Sequence, residues 1–359
     1  MLQSLSPAEA QAKTRKTTAS RRKRVVRKPV SPEVDPTVGD NVDGEDLAVR
    51  RAAVQALGTE NGSVVVVDPA TGRILSMVNQ KLALQSGFIP CSTIKLVTAL
   101  AALNEHVVDP NTFIHTSRYV SYNLTTAIAR SNNPYFATLG TRLGFERVVR
   151  YAQMLGLGEK AGLDIPNEQP GVVPEAPPRA GGMGLMTSFG EGFQVTPLEL
   201  AGIVSAIANN GTLYYLQYPR TQEEADQITP KVKRPLDLSS QEIADLKVGM
   251  RGAVDYGTAR RANYDPNEPI FGKTGTCTDF RAGSHMGWVG SFIDDGQHRL
   301  VVVVMLTSPT KSVSGAVASG VAGAFYRNLA EERYFASLPP AKRSDLPEII
   351  STMPGNTIR

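Results

Sequence analysis

The sequence predicts an α/β fold in which an antiparallel sheet of about five strands is flanked by helices and carries an inserted, mostly helical subdomain. Strand-like patterns lie near both ends of the body of the chain, within residues 62–79 and 270–306, and helical patterns fill the region between them. The 359 residues are 41% hydrophobic and 20% charged, which is typical of a folded globular protein. The longest apolar run, Leu300–Leu306, is far shorter than the ~18 residues that a membrane-spanning helix needs.

The first part of the body predicts a helix, a β-hairpin and a second helix. Asp46–Leu57 has a helical pattern. The consecutive valines of Val64–Val67 indicate a buried strand, and the turn residues of Asp68–Gly72 separate it from a second strand at Arg73–Asn79. Ser92–Asn104 is apolar on nearly every side, which favours a buried helix.

The remainder of the body predicts helices first and strands afterwards. From Thr125 to Gly211 the patterns are mostly helical, apart from a Pro- and Gly-rich loop between Pro166 and Gly184. A helix, three short strands and a closing helix follow at Glu242–Val254, Ile270–Cys277, Met286–Ile293, Arg299–Leu306 and Ala316–Glu331. A single sheet split in sequence around a helical insertion explains this order.

The charge of the chain is unevenly distributed. Residues 1–33 hold nine Lys or Arg and two Glu, a net charge of +7, whereas the remaining residues carry a net charge of −3. We therefore expect a disordered basic tail at 1–45, a folded domain at 46–335 and a C-terminal extension at 336–359. The acidic body gives no electrostatic support for nucleic-acid binding. No apolar segment follows the basic run, so neither a complete signal peptide nor a membrane anchor is visible.

Cysteine and histidine are too sparse for several classes of protein. Two cysteines exclude a disulfide scaffold and a zinc-finger array. The four histidines show no metal-ligand spacing. The sequence therefore predicts no metal and no cofactor.

The first chemical motif is S-x-x-K at Ser92 and Lys95, which lie three residues apart and so share one helix face. A serine hydroxyl becomes a good nucleophile when a neighbouring base takes its proton. Lysine can be that base only where burial or nearby positive charge destabilises its ammonium form. Taken alone, the motif is common by chance and favours a helix-capping serine beside a lysine that reaches solvent.

Two further motifs follow downstream. S-x-N at Ser131 and Asn133 is, by itself, an ordinary turn or helix start. K-T-G begins at Lys273 on a predicted strand, where Gly275 leaves room for a ligand to approach the backbone. Lys273 and the hydroxyls of the neighbouring threonines could hold a carboxylate.

Together and in this order, the three motifs are the signature of the penicillin-recognising serine enzymes, and the chain resembles the transpeptidase domain of penicillin-binding proteins over about residues 48–332. The resemblance implies that Ser92 attacks the carbonyl of a D-alanyl-D-alanine stem peptide, or of a β-lactam that mimics it, and that Lys95 removes the Ser92 proton. Ser131 would relay a proton to the leaving amine, and Asn133 would orient Lys95 and the substrate amide.

The resemblance also assigns the K-T-G strand. Lys273 would keep the site electropositive, while Thr274 and Thr276, on either side of Gly275, would bind the substrate's terminal carboxylate. The backbone N–H groups of Ser92 and Thr276 would form the oxyanion hole.

Cys91 departs from the family pattern, which usually has a small residue, often Gly, before the nucleophile. Some carbapenem-hydrolysing class A β-lactamases carry a disulfide at the positions equivalent to Cys91 and Cys277, and the sequence is similar there. We therefore expect a disulfide between these two residues, which would imply an oxidising compartment. Two separate buried thiols are the alternative.

The leading hypothesis is a monofunctional D,D-transpeptidase, located at the extracytoplasmic face of the bacterial membrane or in the periplasm. Its partners would be peptidoglycan stem peptides, β-lactams and cell-wall morphogenesis proteins, with no nucleic acid. A serine β-lactamase is one alternative and needs a base to hydrolyse the acyl-enzyme. Glu168 lies at a suggestive position, but its sequence context predicts a solvated loop carboxylate. A non-catalytic β-lactam sensor is the other alternative.

Overall fold

The computed structural model describes residues 35–280, 282–296, 298–310 and 313–337. The described residues form nine strands: β1 (Gly62–Val67), β2 (Ile74–Val78), β3 (Ile114–Ser117), β4 (Val120–Tyr122), β5 (Thr212–Tyr214), β6 (Val232–Pro235), β7 (Ile270–Asp279), β8 (Ser284–Asp294) and β9 (Arg299–Ser308). Five of these form one antiparallel sheet in the order β2-β1-β9-β8-β7. The predicted fold class is therefore confirmed, and the strand that carries K-T-G lies at an edge of the sheet.

Helices surround this sheet. They are α1 (Leu47–Leu57), α2 (Gln80–Ala83), α3 (Lys95–Asn104), α4 (Leu124–Arg130), α5 (Asn133–Leu143), α6 (Phe145–Met154), α7 (Gly182–Phe189), α8 (Pro197–Ala208), α9 (Gln222–Asp226), α10 (Ser240–Asp255), α11 (Gly315–Glu331) and α12 (Tyr334–Ser337), with 3₁₀ helices at Cys91–Ile94 and Arg260–Ala262. The insertion between β2 and β7 holds α2–α10 together with two small hairpins, β3–β4 and β5–β6.

The sheet separates two hydrophobic cores. Side chains alternate between the faces of a strand, so Val65 and Val67 of β1 face one core, while Val64 and Val66 face the other. The first core is shared with helices of the insertion, including α3, α5 and α8. The second core is shared with α1 and α11. Because helices cover both faces of the sheet, every residue of β1 is buried. This explains the unbroken run of valines in the strand.

The helix predicted at Ser92–Asn104 begins differently from expectation. Its first turn is a 3₁₀ helix, Cys91–Ile94, and the regular α-helix starts at Lys95. Cys91 has a φ of +52°, in the left-handed region, which a regular α-helix does not allow. The nucleophile candidate therefore lies in a tight turn that leads into α3.

The boundary of the basic tail was predicted wrongly. Residues 1–34 lie outside the described residues, but 35–45 pack on the folded body. Asp40 accepts hydrogen bonds from the backbone N–H groups of Asn79 and Gln80 (2.9 and 2.8 Å) and forms a 2.6 Å ion pair with Arg50. Glu45 is 1% exposed and accepts a hydrogen bond from the N–H of Met77 (2.8 Å). These polar groups contact the outer edge of β2 and its C-terminal end, where backbone groups would otherwise lack partners.

The C-terminal boundary also shifts slightly, because α12 extends to Ser337. The rest of the predicted C-terminal extension, from residue 338 onwards, lies outside the described residues. Within the described part of the chain, every helix is too short or too polar to cross a membrane.

Candidate active site

Ser92 lies in the 3₁₀ turn of the insertion that leads into α3, next to the edge strand β7. It is 7% exposed, and its hydroxyl donates a 3.3 Å hydrogen bond to the carbonyl of Ser188. The preceding residue, Cys91, has its left-handed φ of +52°. For a residue with a Cβ, this conformation is less stable by about 1–2 kcal/mol. The turn is therefore held in place by contacts from its surroundings.

Lys95 is the nearest titratable neighbour of Ser92. Its Nζ lies 2.7 Å from Ser92 Oγ and 2.5 Å from Asn133 Oδ1. The side chain is fully buried, with the rings of Phe136 and Phe189 at 5.6 and 5.8 Å from Nζ. Burial, with a smaller contribution from the nearby Lys273 ammonium, lowers the pKa of Lys95 to about 6.

Ser131 ends α4 and Asn133 begins α5, so the S-x-N motif forms the junction of two helices. Ser131 adopts a left-handed conformation with φ of +54°, which terminates α4. Asn132 then caps α5 by accepting a 2.8 Å hydrogen bond from the N–H of Tyr135. This junction directs the side chains of Ser131 and Asn133 towards Lys95.

Lys273 of β7 is also fully buried and reaches the same junction. Its Nζ donates to Ser131 Oγ and to the carbonyl of Thr274, both at 2.8 Å. Burial lowers the pKa of Lys273 to about 7. The structure thus brings together four of the predicted side chains, those of Lys95, Ser131, Asn133 and Lys273, around Ser92.

The two threonines of the K-T-G strand differ in their partners. Thr276 is exposed, and its Oγ1 accepts a 2.8 Å hydrogen bond from the N–H of Gly315, the first residue of α11. Since this bond uses a lone pair, the Thr276 hydroxyl proton stays available to a ligand. Thr274 is 5% exposed, and its Oγ1 lies 2.6 Å from that of Thr258. Thr258 follows α10, and no sequence pattern indicates this contact.

Gly275 lies directly against the turn that carries Ser92. A Cβ on Gly275 would lie 2.9 Å from the carbonyl oxygen of Pro90 and 3.2 Å from Cys91 Cβ. The absence of a side chain here thus allows close approach of the turn that carries Ser92.

The expected disulfide between Cys91 and Cys277 is present, with a Cα–Cα distance of 5.5 Å. The bond joins the turn before Ser92 to the edge strand β7. Trp288 of β8 supports the same turn, because its buried indole donates a 3.1 Å hydrogen bond to the carbonyl of Ile89. The only signal for Trp288 in the sequence was its place on a predicted strand, so its contact with the turn was missed.

Glu168 was predicted to be a solvated carboxylate, and this was wrong. It is 1% exposed and accepts hydrogen bonds from the backbone N–H groups of Ala161 (2.8 Å) and Gly162 (3.1 Å). Burial raises its pKa. These partners lie six and seven residues before Glu168, so the carboxylate bridges the two ends of this loop segment.

No group of three His, Cys, Asp or Glu side chains in the described part of the chain is arranged to hold a metal ion.

Several proteins of known name are similar to this chain in sequence. Stage V sporulation protein D of Bacillus subtilis is 28% identical over 313 residues, covering 76% of this chain and 48% of that protein. The peptidoglycan D,D-transpeptidase MrdA of Haemophilus influenzae is 25% identical over 299 residues, covering 66% of this chain and 46% of that protein. The chain thus spans about half the length of the curated relatives it matches.

Solved structures show the same fold. The transpeptidase domain of Burkholderia pseudomallei penicillin-binding protein 3 superposes with a TM-score of 0.70 at 22% identity, covering 84% of this chain and 98% of that one. Pseudomonas aeruginosa PBP2 superposes with a TM-score of 0.69 at 23% identity, covering 83% and 79%. The sequence model of the penicillin-binding protein transpeptidase domain matches residues 62–331, and this chain therefore belongs to that family.

Proposed function

We propose that this chain is a peptidoglycan D,D-transpeptidase that acts on D-alanyl-D-alanine stem peptides through an acyl-serine intermediate on Ser92. The observation that carries the proposal is the 2.7 Å contact between Ser92 Oγ and the buried Lys95, whose pKa is lowered to about 6. Membership of the family and the name of the MrdA relatives support it.

Acylation begins when Ser92 Oγ attacks the carbonyl carbon of the scissile amide. The neutral amine of Lys95 accepts the hydroxyl proton, a C–O bond forms, and the C–N bond to the terminal D-alanine breaks. The leaving amine takes a proton through Ser131, whose Oγ lies 3.3 Å from Lys95 Nζ and 2.8 Å from Lys273 Nζ. Asn133 orients Lys95 through its 2.5 Å contact.

The negative charge that develops on the carbonyl oxygen is stabilised by the backbone N–H groups of Ser92 and Thr276. Loss of one such donor slows other enzymes by about 10²–10³-fold. The terminal carboxylate of the substrate binds the hydroxyls of Thr274 and Thr276, and the buried Lys273 adds positive potential. Thr274 donates a 2.6 Å hydrogen bond to Thr258 Oγ1, so it can donate to the carboxylate only once that bond has broken or Thr258 has become its donor.

Deacylation completes the reaction when the amine of a second stem peptide attacks the acyl-serine ester. A serine β-lactamase would instead need a base that activates water at this ester. Glu168, the carboxylate considered for that task, has its oxygens bonded to the N–H groups of Ala161 and Gly162. This counts against the β-lactamase alternative.

We also propose the setting in which the protein works. The Cys91–Cys277 disulfide supports an oxidising, extracytoplasmic compartment. Stem peptides and β-lactams are the proposed ligands, and cell-wall morphogenesis proteins are the proposed partners. We further propose that residues from about 35 to 337 form the transpeptidase domain, preceded by a basic tail.

Mass spectrometry after incubation with benzylpenicillin tests the proposal. We expect one adduct that maps to Ser92, which is absent from Ser92→Ala and present in Ser117→Ala, a control at an exposed serine. A folded protein with no adduct, or with an adduct elsewhere, contradicts the assignment of Ser92. Turnover of a D-Ala-D-Ala peptide with an added acceptor amine then separates a transpeptidase from a sensor, which is acylated but releases no cross-linked product.

A further inference from the structure

We propose that the Cys91–Cys277 disulfide positions the nucleophile. It does so because it holds Cys91 in a backbone conformation that glycine would adopt without such a restraint. This inference rests on the proposed role of Ser92. It makes a specific claim: the bond matters for the rate of acylation through the backbone of residue 91, in addition to any effect on stability.

The first observation is the φ of +52° at Cys91, one residue before Ser92. Glycine occupies this region readily, whereas a Cβ disfavours it. Asn and Asp tolerate it because their short polar side chains bond locally to the backbone, and they supply four of the eight described non-glycine residues with positive φ: Asn79, Asp164, Asn167 and Asn210. His106, Ser131 and Arg333 also adopt it, and Cys91 is the one of the eight that carries a disulfide.

The second observation is that the far end of the bond is fixed. Cys277 belongs to β7, where it pairs with Met286 of β8 in an unbroken ten-residue register. The strand is therefore the anchor, and the turn at Cys91 is the part that the bond restrains. The 5.5 Å Cα–Cα distance sets how far this turn can move from the strand.

The third observation is the placement of the two cysteines relative to the proposed oxyanion hole. Cys91 directly precedes Ser92, and Cys277 directly follows Thr276. The disulfide therefore joins the neighbours of both proposed backbone donors. If Cys91 relaxed to an ordinary negative φ, the N–H of Ser92 would rotate with the shared peptide plane, and its alignment with the N–H of Thr276 would be lost.

Two double variants separate this role from a purely structural one. Cys91→Ala with Cys277→Ala removes the bond and keeps a Cβ at residue 91. Cys91→Gly with Cys277→Ala removes the same bond and also removes the Cβ. Both lose the same covalent constraint on the unfolded chain, so their losses of stability from that source are equal.

The measurement is the second-order rate of acylation of the full chain by a fluorescent penicillin, with circular dichroism to verify folding. We expect the alanine variant to be acylated about tenfold more slowly than the oxidised wild type, and the glycine variant to lie within about threefold of it. Equal rates for the two variants, whether both fast or both slow, overturn the proposal.

Reduction of the wild type is the second arm and does not depend on folding of the variants. Dithiothreitol supplies two electrons and two protons, the S–S bond breaks to give two thiols, and the reagent becomes its cyclic disulfide. We expect acylation of the reduced, still folded protein to slow by about tenfold and to recover on reoxidation. An unchanged rate overturns the proposal. If the oxidised wild type is not acylated at Ser92 at all, it is the proposed function that fails.

Discussion

Lys95 and Lys273 both contact the hydroxyl of Ser131, at 3.3 and 2.8 Å from its Oγ. Two fully buried ammonium groups around one hydroxyl repel each other, and burial disfavours the charged form of each. The pKa of Lys95 is lowered to about 6 and that of Lys273 to about 7, so near pH 7 Lys95 is mainly neutral. A neutral amine is the form that can take the Ser92 proton.

The rate of acylation should therefore follow the titration of Lys95. Below about pH 6 its amine is protonated, so the rate with benzylpenicillin should fall tenfold per pH unit, and above that pH it should level off. Lys95→Arg should lose about 10²–10⁴-fold at pH 7.5, because guanidinium does not deprotonate in this range. Stopped-flow measurement across pH 4.5–9 checks both.

Lys247→Arg is the matched control for this prediction. Lys247 is also a lysine whose pKa is lowered by burial, to about 8, but its Nζ contacts Asn210 and Ala208 instead of Ser92. Its replacement should leave the acylation profile unchanged. A Lys95→Arg protein that is acylated at a near-normal rate contradicts the role of Lys95 as the base.

Lys273→Met should move the acid limb of the same profile. The Lys273 ammonium lowers the pKa of Lys95, and around pH 6 Lys273 is still mostly protonated. Removing this charge raises the pKa of Lys95, so the midpoint of the acid limb should shift to higher pH. A midpoint that stays in place, measured on folded protein, would show that the charge on Lys273 does not act on Lys95.

The fold and the central side chains could be predicted because the signals are local. The valine run of β1 is continuous since both faces of the sheet are covered, and this pattern is visible in four successive residues, Val64–Val67. The motif residues Ser92, Lys95 and Lys273 were recognisable from their order and spacing. The small hairpin β3–β4 gave no such signal, because its strands are three or four residues long and largely exposed.

The errors concern polar side chains whose hydrogen-bond and ion-pair partners form no recognisable sequence pattern. Nothing in the sequence distinguishes Asp40 and Glu45, which meet Arg50 inside the protein, from charges on a solvated tail. Glu168 is similar, since its partners are backbone N–H groups that any loop possesses. The contact of Thr258 with Thr274 joins residues 16 positions apart and depends on how α10 meets β7.

Glu168→Gln should affect stability more than chemistry. The amide oxygen replaces only one of the two carboxylate oxygens that accept from Ala161 and Gly162, so we expect a loss of about 1–3 kcal/mol in the free energy of unfolding. Burial raises the pKa of Glu168, so its contribution to stability is present at acid pH and is lost as pH rises through that pKa. Urea unfolding at several pH values measures this.

The same variant tests the β-lactamase alternative. The lifetime of the penicilloyl-Ser92 ester, followed by mass spectrometry, should change by less than about twofold in Glu168→Gln. Loss of a true deacylation base would lengthen that lifetime by about 10²–10⁴-fold. Such a lengthening would favour the β-lactamase interpretation over the transpeptidase.

Removal of residues 1–45 should destabilise the protein, contrary to what the basic composition suggested. Arg50 is buried and forms ion pairs with Asp40 (2.6 Å) and Glu45 (3.4 Å). A chain that begins at Asp46 keeps the guanidinium but loses both carboxylates. Leaving a buried charge unpaired costs about 3–5 kcal/mol, so we expect a melting temperature about 5–15 °C lower.

A chain that begins at Asp35 is the matched control for this truncation. It keeps both ion pairs of Arg50, and we predict that its melting temperature stays within about 2 °C of the full chain. Arg50→Met in the chain that begins at Asp46 should recover part of the loss, because it replaces the unpaired charge with an apolar side chain of similar length. Equal melting temperatures for chains beginning at Asp35 and Asp46 would contradict the stabilising role of this segment. A deficit that Arg50→Met leaves unchanged would instead assign the effect to the contacts that Glu45 and Asp40 make with the backbone of β2 and the residues that follow it.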